Sequence, residues 1–186
     1  PFKCKYELTH LCYIRTSTKN HPAITLVDGP LWSIYPTSED NIYTLTEGSV
    51  SGTDGYTCIY DSDGQDMIIY QGTKKVTIDL RPATIQNEFG GGGYISKVDD
   101  ESIFSGFTIA QGVKIENATG GSNDDTFYQV ETVSNIIDGM NGIDSVHYEG
   151  NFNDYTIVDI LSDGSHVTVS KNAATDNLYN IEKMVF

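Results

Sequence analysis

Short apolar or alternating runs recur along the chain between clusters of Gly, Asp and Asn, and no segment sustains apolar residues at helical spacing for three turns. The pattern predicts short strands over 42–46, 56–60, 67–70 and 76–80. Its clearest hairpin joins Asp154–Ile160 to Ser165–Ser170 through Leu161-Ser-Asp-Gly164, whose Asp-Gly pair is a strong turn signal. Residues Asn177–Phe186 alternate enough to form a further strand or edge segment. One helix is expected within 24–35, where Pro30 after Gly29 can occupy a first helical position, and a loop follows over 37–41. The four-glycine run Gly90–Gly93 marks a flexible loop or a close backbone approach, because a strand interior there would carry a heavy entropic cost. Neither Lys-Ser nor Lys-Thr follows it, so the run does not read as a nucleotide loop.

Composition agrees with a folded, all-β chain: 186 residues, 38% hydrophobic, with 12 Tyr and 18 Gly. That length suits one compact domain or two small modules. The net charge of −15, from 26 acidic and 11 basic residues, argues against nucleic acid or an anionic membrane as the main partner and points to a cation. The imbalance is local. Lys3, Lys5, Arg15 and Lys19 outweigh Glu7 and Asp28 in the first 30 residues, which leaves −17 on the remainder. A compact fold so charged repels itself unless something neutralises it, and bound Ca²⁺ would do so. Cys4, Cys12 and Cys58 allow at most one intrachain disulfide. No run of about 18 apolar residues exists to span a bilayer, so no membrane insertion is expected. The start, Pro-Phe-Lys-Cys, lacks both a Met and the apolar stretch of a secretory signal, which suggests a fragment or a processed chain.

The informative segment is Gly120-Gly-Ser-Asn-Asp-Asp-Thr-Phe127, which follows the repeat G-G-x-G-x-D-x-U except that Asn123 stands for the third Gly. Asn reaches left-handed geometry more cheaply than most residues, so a positive φ is expected at Asn123. Gly139-Met-Asn-Gly-Ile-Asp-Ser-Val146 repeats the pattern with Met140 for the second Gly. A worn copy, Asp61-Ser-Asp-Gly-Gln-Asp-Met-Ile68, keeps Gly64, Asp66 and Ile68. Such a turn bends the backbone so that carbonyls and one carboxylate face the same point, offering hard oxygen ligands to Ca²⁺. The apolar residue two places later then starts a strand and points into the core. Candidate ligands are therefore Gly121, Asn123, Asp125, Gly139, Asn141, Gly142 and Asp144, with Asp61, Asp63, Gly64 and Asp66 in the worn copy. In a parallel β-roll, turns on one side recur every two nine-residue units. Asp125 and Asp144 are 19 apart, which fits one inserted residue in the opposite turn between Gln129 and Val133, before a strand at Ser134–Ile137. The alternative is that these are β-turns that use Asp and Gly for geometry alone.

Three stretches carry a resemblance over roughly residues 39–146: Ile59-Tyr-Asp-Ser-Asp-Gly-Gln-Asp-Met-Ile68, Val76-Thr-Ile-Asp-Leu-Arg-Pro82, and Ala110-Gln-Gly-Val-Lys-Ile-Glu-Asn-Ala-Thr-Gly-Gly-Ser122. In order and spacing they resemble the C-terminal RTX domain of serralysin-type metallopeptidases. Residues 144–186 resemble the β-hairpin module that often follows RTX repeats in type I secreted proteins, and residues 24–43 faintly resemble the tail of the preceding protease domain. The resemblance implies a calcium-binding parallel β-roll packed with a β-sandwich, short C-terminal antiparallel hairpins, and an extracellular bacterial protein exported without an N-terminal signal. It divides the chain into an N-terminal segment (1–38), a sandwich-like part (39–118), roll turns (119–146) and a hairpin module (147–186).

The family's zinc site, H-E-x-x-H-x-x-G-x-x-H, is matched by none of His10, His21, His147 and His166, so neither zinc nor catalysis is expected of this chain. The expected function is a non-catalytic calcium-binding RTX module of a secreted protein, supporting calcium-driven folding and type I secretion. Two alternatives stay open. One is the C-terminal part of a secreted serralysin-like zinc metalloendopeptidase whose catalytic domain is absent here and would be its partner. The other is an extracellular adhesion module that binds a surface polysaccharide through its Tyr-rich faces.

Overall fold

A computed structural model gives the fold and describes residues 39–47, 55–83, 95–99 and 105–186. The helix expected at 24–35, the four-glycine run, Cys4, Cys12, His10, His21 and the 1–38 segment lie outside the described residues. Within them the fold is all-β. The predicted early strands form as β1 (Ile42–Leu45), β2 (Gly55–Ile59), β3 (Met67–Tyr70) and β4 (Val76–Asp79). They are followed by β5 (Ile95–Val98), β6 (Ser105–Ile109), β7 (Asn117–Thr119), β8 (Thr126–Tyr128), β9 (Ile136–Asp138) and β10 (Ser145–His147). The C-terminal stretch adds β11 (Thr156–Ile160), β12 (His166–Lys171), β13 (Ala174–Tyr179) and β14 (Lys183–Val185).

Two seven-stranded sheets result, in the orders β1-β3-β7-β9-β13-β12-β11 and β14-β10-β8-β4-β5-β6-β2. The first sheet is parallel from β1 to β13, and the second from β14 to β4. Outside the antiparallel runs β4-β5-β6 and β11-β12-β13, the chain passes from one sheet to the other at each turn, so β3–β4, β7–β8, β9–β10 and β13–β14 stack as coils. Side chains in register form continuous inner columns: Ile68, Ala118, Ile137 and Leu178 in one sheet, Ile78, Phe127, Val146 and Met184 in the other. All but Met184 are almost fully buried, and each large one contributes about 1.5–3 kcal/mol by leaving water. The coils run through three of the expected divisions, since β3 and β4 pair directly with β7 and β8, and β13 and β14 continue the same sheets.

The C-terminal hairpin forms as its pattern predicts. β11 and β12 pair antiparallel, Gly164 donates to Leu161 O at 2.8 Å, and Gly164 takes φ +75° where an L side chain would be strained. Tyr148, Tyr155, Phe152 and Phe186 pack ring against ring beneath it, with centroids 4.9–5.2 Å apart. On the outer face of the second sheet, the Ile-Asp-Leu-Arg segment makes a clamp. Arg81 forks onto Asp79 at 2.7 and 2.9 Å and lies 4.4 Å over the Tyr128 ring, which stacks on His147.

Candidate metal centre

The turns that lead from the first sheet to the second stack along one edge of the coil. They are residues 71–75, 120–125, 139–144 and 180–182, and Val76, just after the first of them, comes into register with Asp125, Asp144 and Glu182, the last residues of the others. A ladder runs through this column. Val76 N donates to Asp125 Oδ1 (2.9 Å), Asp125 N to Asp144 Oδ1 (2.6 Å), and Asp144 N to Glu182 Oε2 (2.7 Å). Asp125 and Asp144 are buried at 1% and 0% exposure. Burial raises both carboxyls above the ordinary range, Asp144 to about 6, with the neighbouring Asp125, Glu182 and Asp124 charges adding to it.

Glycines let these turns touch. A Cβ on Gly120 would stand 2.5 Å from Asp125 Oδ2 and 2.9 Å from Gly139 O, and one on Gly139 would fall on Asn180 O and Asp144 Oδ2. A Cβ on Gly142 would meet Asn123 O at 2.5 Å, and one on Gly121 would meet Gly72 O at 2.6 Å. The turns thus repeat one arrangement: an Asp oxygen and the carbonyl of the next turn converge beside a glycine. Between the first two turns a phenol occupies the stack instead. The Tyr70 ring packs under Gly121, and its hydroxyl accepts from Lys74 N and donates to Glu47, both at 3.2 Å.

The two repeats differ at their second position. Gly121 N donates to Asp125 Oδ2 at 2.6 Å. Met140 occupies the equivalent place at φ +69°, and its N–H donates to Asp138 Oδ1 at 3.0 Å. Among the described residues Asp144 Oδ2 consequently has no hydrogen-bond partner, although it is buried. A left-handed Met costs about 1 kcal/mol or more relative to Gly. The positive φ expected at Asn123 is absent: the left-handed residues at that place in the repeat are Gly142 (φ +142°) and Gly64 (φ +133°). Asn123 is held another way, its Oδ1 accepting Asp124 N at 2.8 Å and its Nδ2 donating to Thr73 O at 3.4 Å.

The worn copy sits on the opposite edge, because residues 61–66 lead from the second sheet into the first. The structure therefore does not bring Asp61, Asp63, Gly64 and Asp66 together with the other candidates. Asp61 accepts Tyr43 OH at 2.6 Å and Asn41 Nδ2 at 3.2 Å, while Asp63 is exposed. Asp66 belongs to a second buried column, in which Asn41, Asp66, Glu116, Asn135 and Asp176 come into register. Asn41 N donates to Asp66 Oδ1, Asp66 N to Glu116 Oε2, and Asn135 N to Asp176 Oδ1, each at 2.9 Å. Burial pushes Asp66 and Asp176 up to about 6.

Of the residues named from sequence, Gly121, Asn123, Asp125, Gly139, Asn141, Gly142 and Asp144 share the first edge, with Asn141 exposed and donating to Gly121 O at 3.4 Å. Glu182, Glu116, Asn135 and Asp176 were missed by the repeat pattern. Glu116 and Asn135 carried a signal, a single polar residue before a strand at the same 19-residue interval, whereas Asp176, 41 residues after Asn135, carried none. Among the described residues no group of three or more His, Cys, Asp or Glu side chains gathers as a metal site, so an ion held here would draw on main-chain carbonyls as well. The donor set fits a hard cation: carboxylate and carbonyl oxygens converge at glycines, and one buried carboxylate oxygen is unpartnered. No protein-family model matches the chain, and no curated protein matches it.

Proposed function

We propose that the chain is a non-catalytic calcium-binding module of a secreted, extracellular protein, in which calcium drives folding of the coil after type I export. The observation that carries this reading is the pair of buried carboxylate columns in a chain of net charge −15. Asp66, Asp125, Asp144 and Asp176 are 5% exposed or less, and a carboxylate removed from water must protonate or meet a positive charge. A bound calcium ion would supply that charge and accept the oxygen donors. Asp125 and Asp144, with the carbonyl of Gly139, are the residues that would hold it. The disulfide at Cys58 suits an oxidising exterior.

Melting the chain at neutral pH in millimolar calcium and again in excess chelator tests the reading. Each independent site at a hundredfold excess of ion adds about 2.7 kcal/mol, which at this chain length raises the midpoint by about 5–10 °C. Identical melts in the two buffers would refute it.

A further inference from the structure

The geometry points to a cation site between the turn 139–144 and the short C-terminal turn Asn180–Glu182, formed by Asp144 Oδ2, the Asn180 carbonyl and the Glu182 carboxylate, which fastens β14 to the roll. This rests on the calcium reading and goes beyond it. The sequence repeats place the best site between their own two turns, whereas Asn180-Ile-Glu182 carries none of the glycine pattern.

Three observations locate the site there. Asp125 Oδ2 already accepts Gly121 N at 2.6 Å, while the equivalent oxygen of Asp144 is buried without a partner. The difference arises at Met140, whose amide turns to Asp138. Asp144 Oδ2 also faces a second oxygen, since both it and Asn180 O lie where a side chain on Gly139 would begin. Finally, the C-terminal turn is built onto Asp144. Glu182 N and Lys183 N donate to Asp144 O at 3.2 and 3.0 Å, Asp144 N donates to Glu182 Oε2, and Asn180 Nδ2 donates to Asp138 Oδ1 at 2.8 Å. Asn180 holds φ +51°, and its carbonyl reaches Gly139 in the adjoining turn. Two carboxylates and a carbonyl thus meet at a joint where only Lys183 is near in sequence to offset them. Among the described residues β14 pairs with β10 alone, and this joint fixes the end at which the strand begins.

The test uses the full chain with calcium as the probe. Glu182→Gln keeps an oxygen to accept Asp144 N and removes the charge, so the variant should fold in calcium-containing buffer. Its calcium affinity should fall at least tenfold. Asp159→Asn, exposed on β11 and away from both turns, should change affinity less than threefold. In the unmodified chain, calcium should slow hydrogen exchange most at residues 180–185. Wild-type affinity in Glu182→Gln, with protection confined to 120–125, would overturn this site and leave the calcium reading standing. Absence of calcium binding by the unmodified chain would overturn both.

Discussion

Stripped of divalent ions and held in metal-free buffer, the chain is expected to melt at a higher temperature at pH 5 than at pH 7.5. Carboxylates that are paired in the folded state give the reverse preference. Here Asp66, Asp144 and Asp176 are buried, and burial is the largest cause that raises each to about 6 from an ordinary 3.8. Neighbouring charges push the same way: Asp61, Glu116 and Asp40 at Asp66, and Asp125, Glu182 and Asp124 at Asp144. Main-chain donors oppose it, from Asn41 to Asp66, from Asp125 to Asp144 and from Asn135 to Asp176.

A folded-state pKa above the unfolded value means that the folded chain binds the proton more tightly. The resulting stabilisation is complete below 3.8 and is lost as pH rises through about 6. Between pH 7.5 and pH 5 each carboxyl, taken alone, accounts for about 1.4 kcal/mol, or about 3–6 °C in the midpoint. Asp79 and Asp125 are raised by burial in the same direction. Saturating calcium should abolish or reverse the preference, since the ion requires the ionised form. Circular-dichroism melts at the two pH values, with and without calcium, decide the matter. A metal-free chain that is more stable at pH 7.5 would show that the buried columns are not strained by their charge.

Replacing Phe127 by Ala should cost about 3–5 kcal/mol, read as a drop in the urea midpoint. Phe127 is fully buried in register with Ile78 and Val146, at the middle of the inner column of the second sheet. Its ring tip lies 2.9 Å from where a Cβ on Gly120 would stand, so the coil has closed around the ring. Ile136→Ala is the control. Ile136 is 47% exposed on β9 with its neighbour Ile137 fully buried, and its loss should cost less than about 1 kcal/mol. Equal costs at the two positions would mean that the columns are not the core.

Both predictions concern residues whose roles were unequally visible in the sequence. Phe127 and Val146 could be read as core because the apolar residue of a glycine-Asp repeat starts a strand, and the alternation carries it inward. Asp125 and Asp144 were legible for the same reason, and their 19-residue interval places them in register on one edge. Glu182 and Asp176 were not, because they follow no glycine turn and become equivalent to Asp144 and Asp66 only when β14 and β13 join the stacks. Sequence similarity also treated Asp61–Asp66 as another copy of the same turn. Strand order puts it on the opposite edge, since the sheet it enters is the one the other turns leave. At Asn123 and Met140, residue preference pointed the wrong way. The left-handed conformation falls on Met140, and the consequence is the unpartnered oxygen of Asp144.

The claim beneath all of this is that the buried acidic edges of the coil take calcium. Equilibrium dialysis of the full chain against radioactive calcium at pH 7.5, in salt high enough to suppress non-specific counterion excess, measures it directly. Saturable uptake of at least one ion per chain is the predicted result, with a dissociation constant no weaker than the about 10⁻³ M of extracellular modules. Uptake that never saturates, or that vanishes as salt is raised, would contradict it.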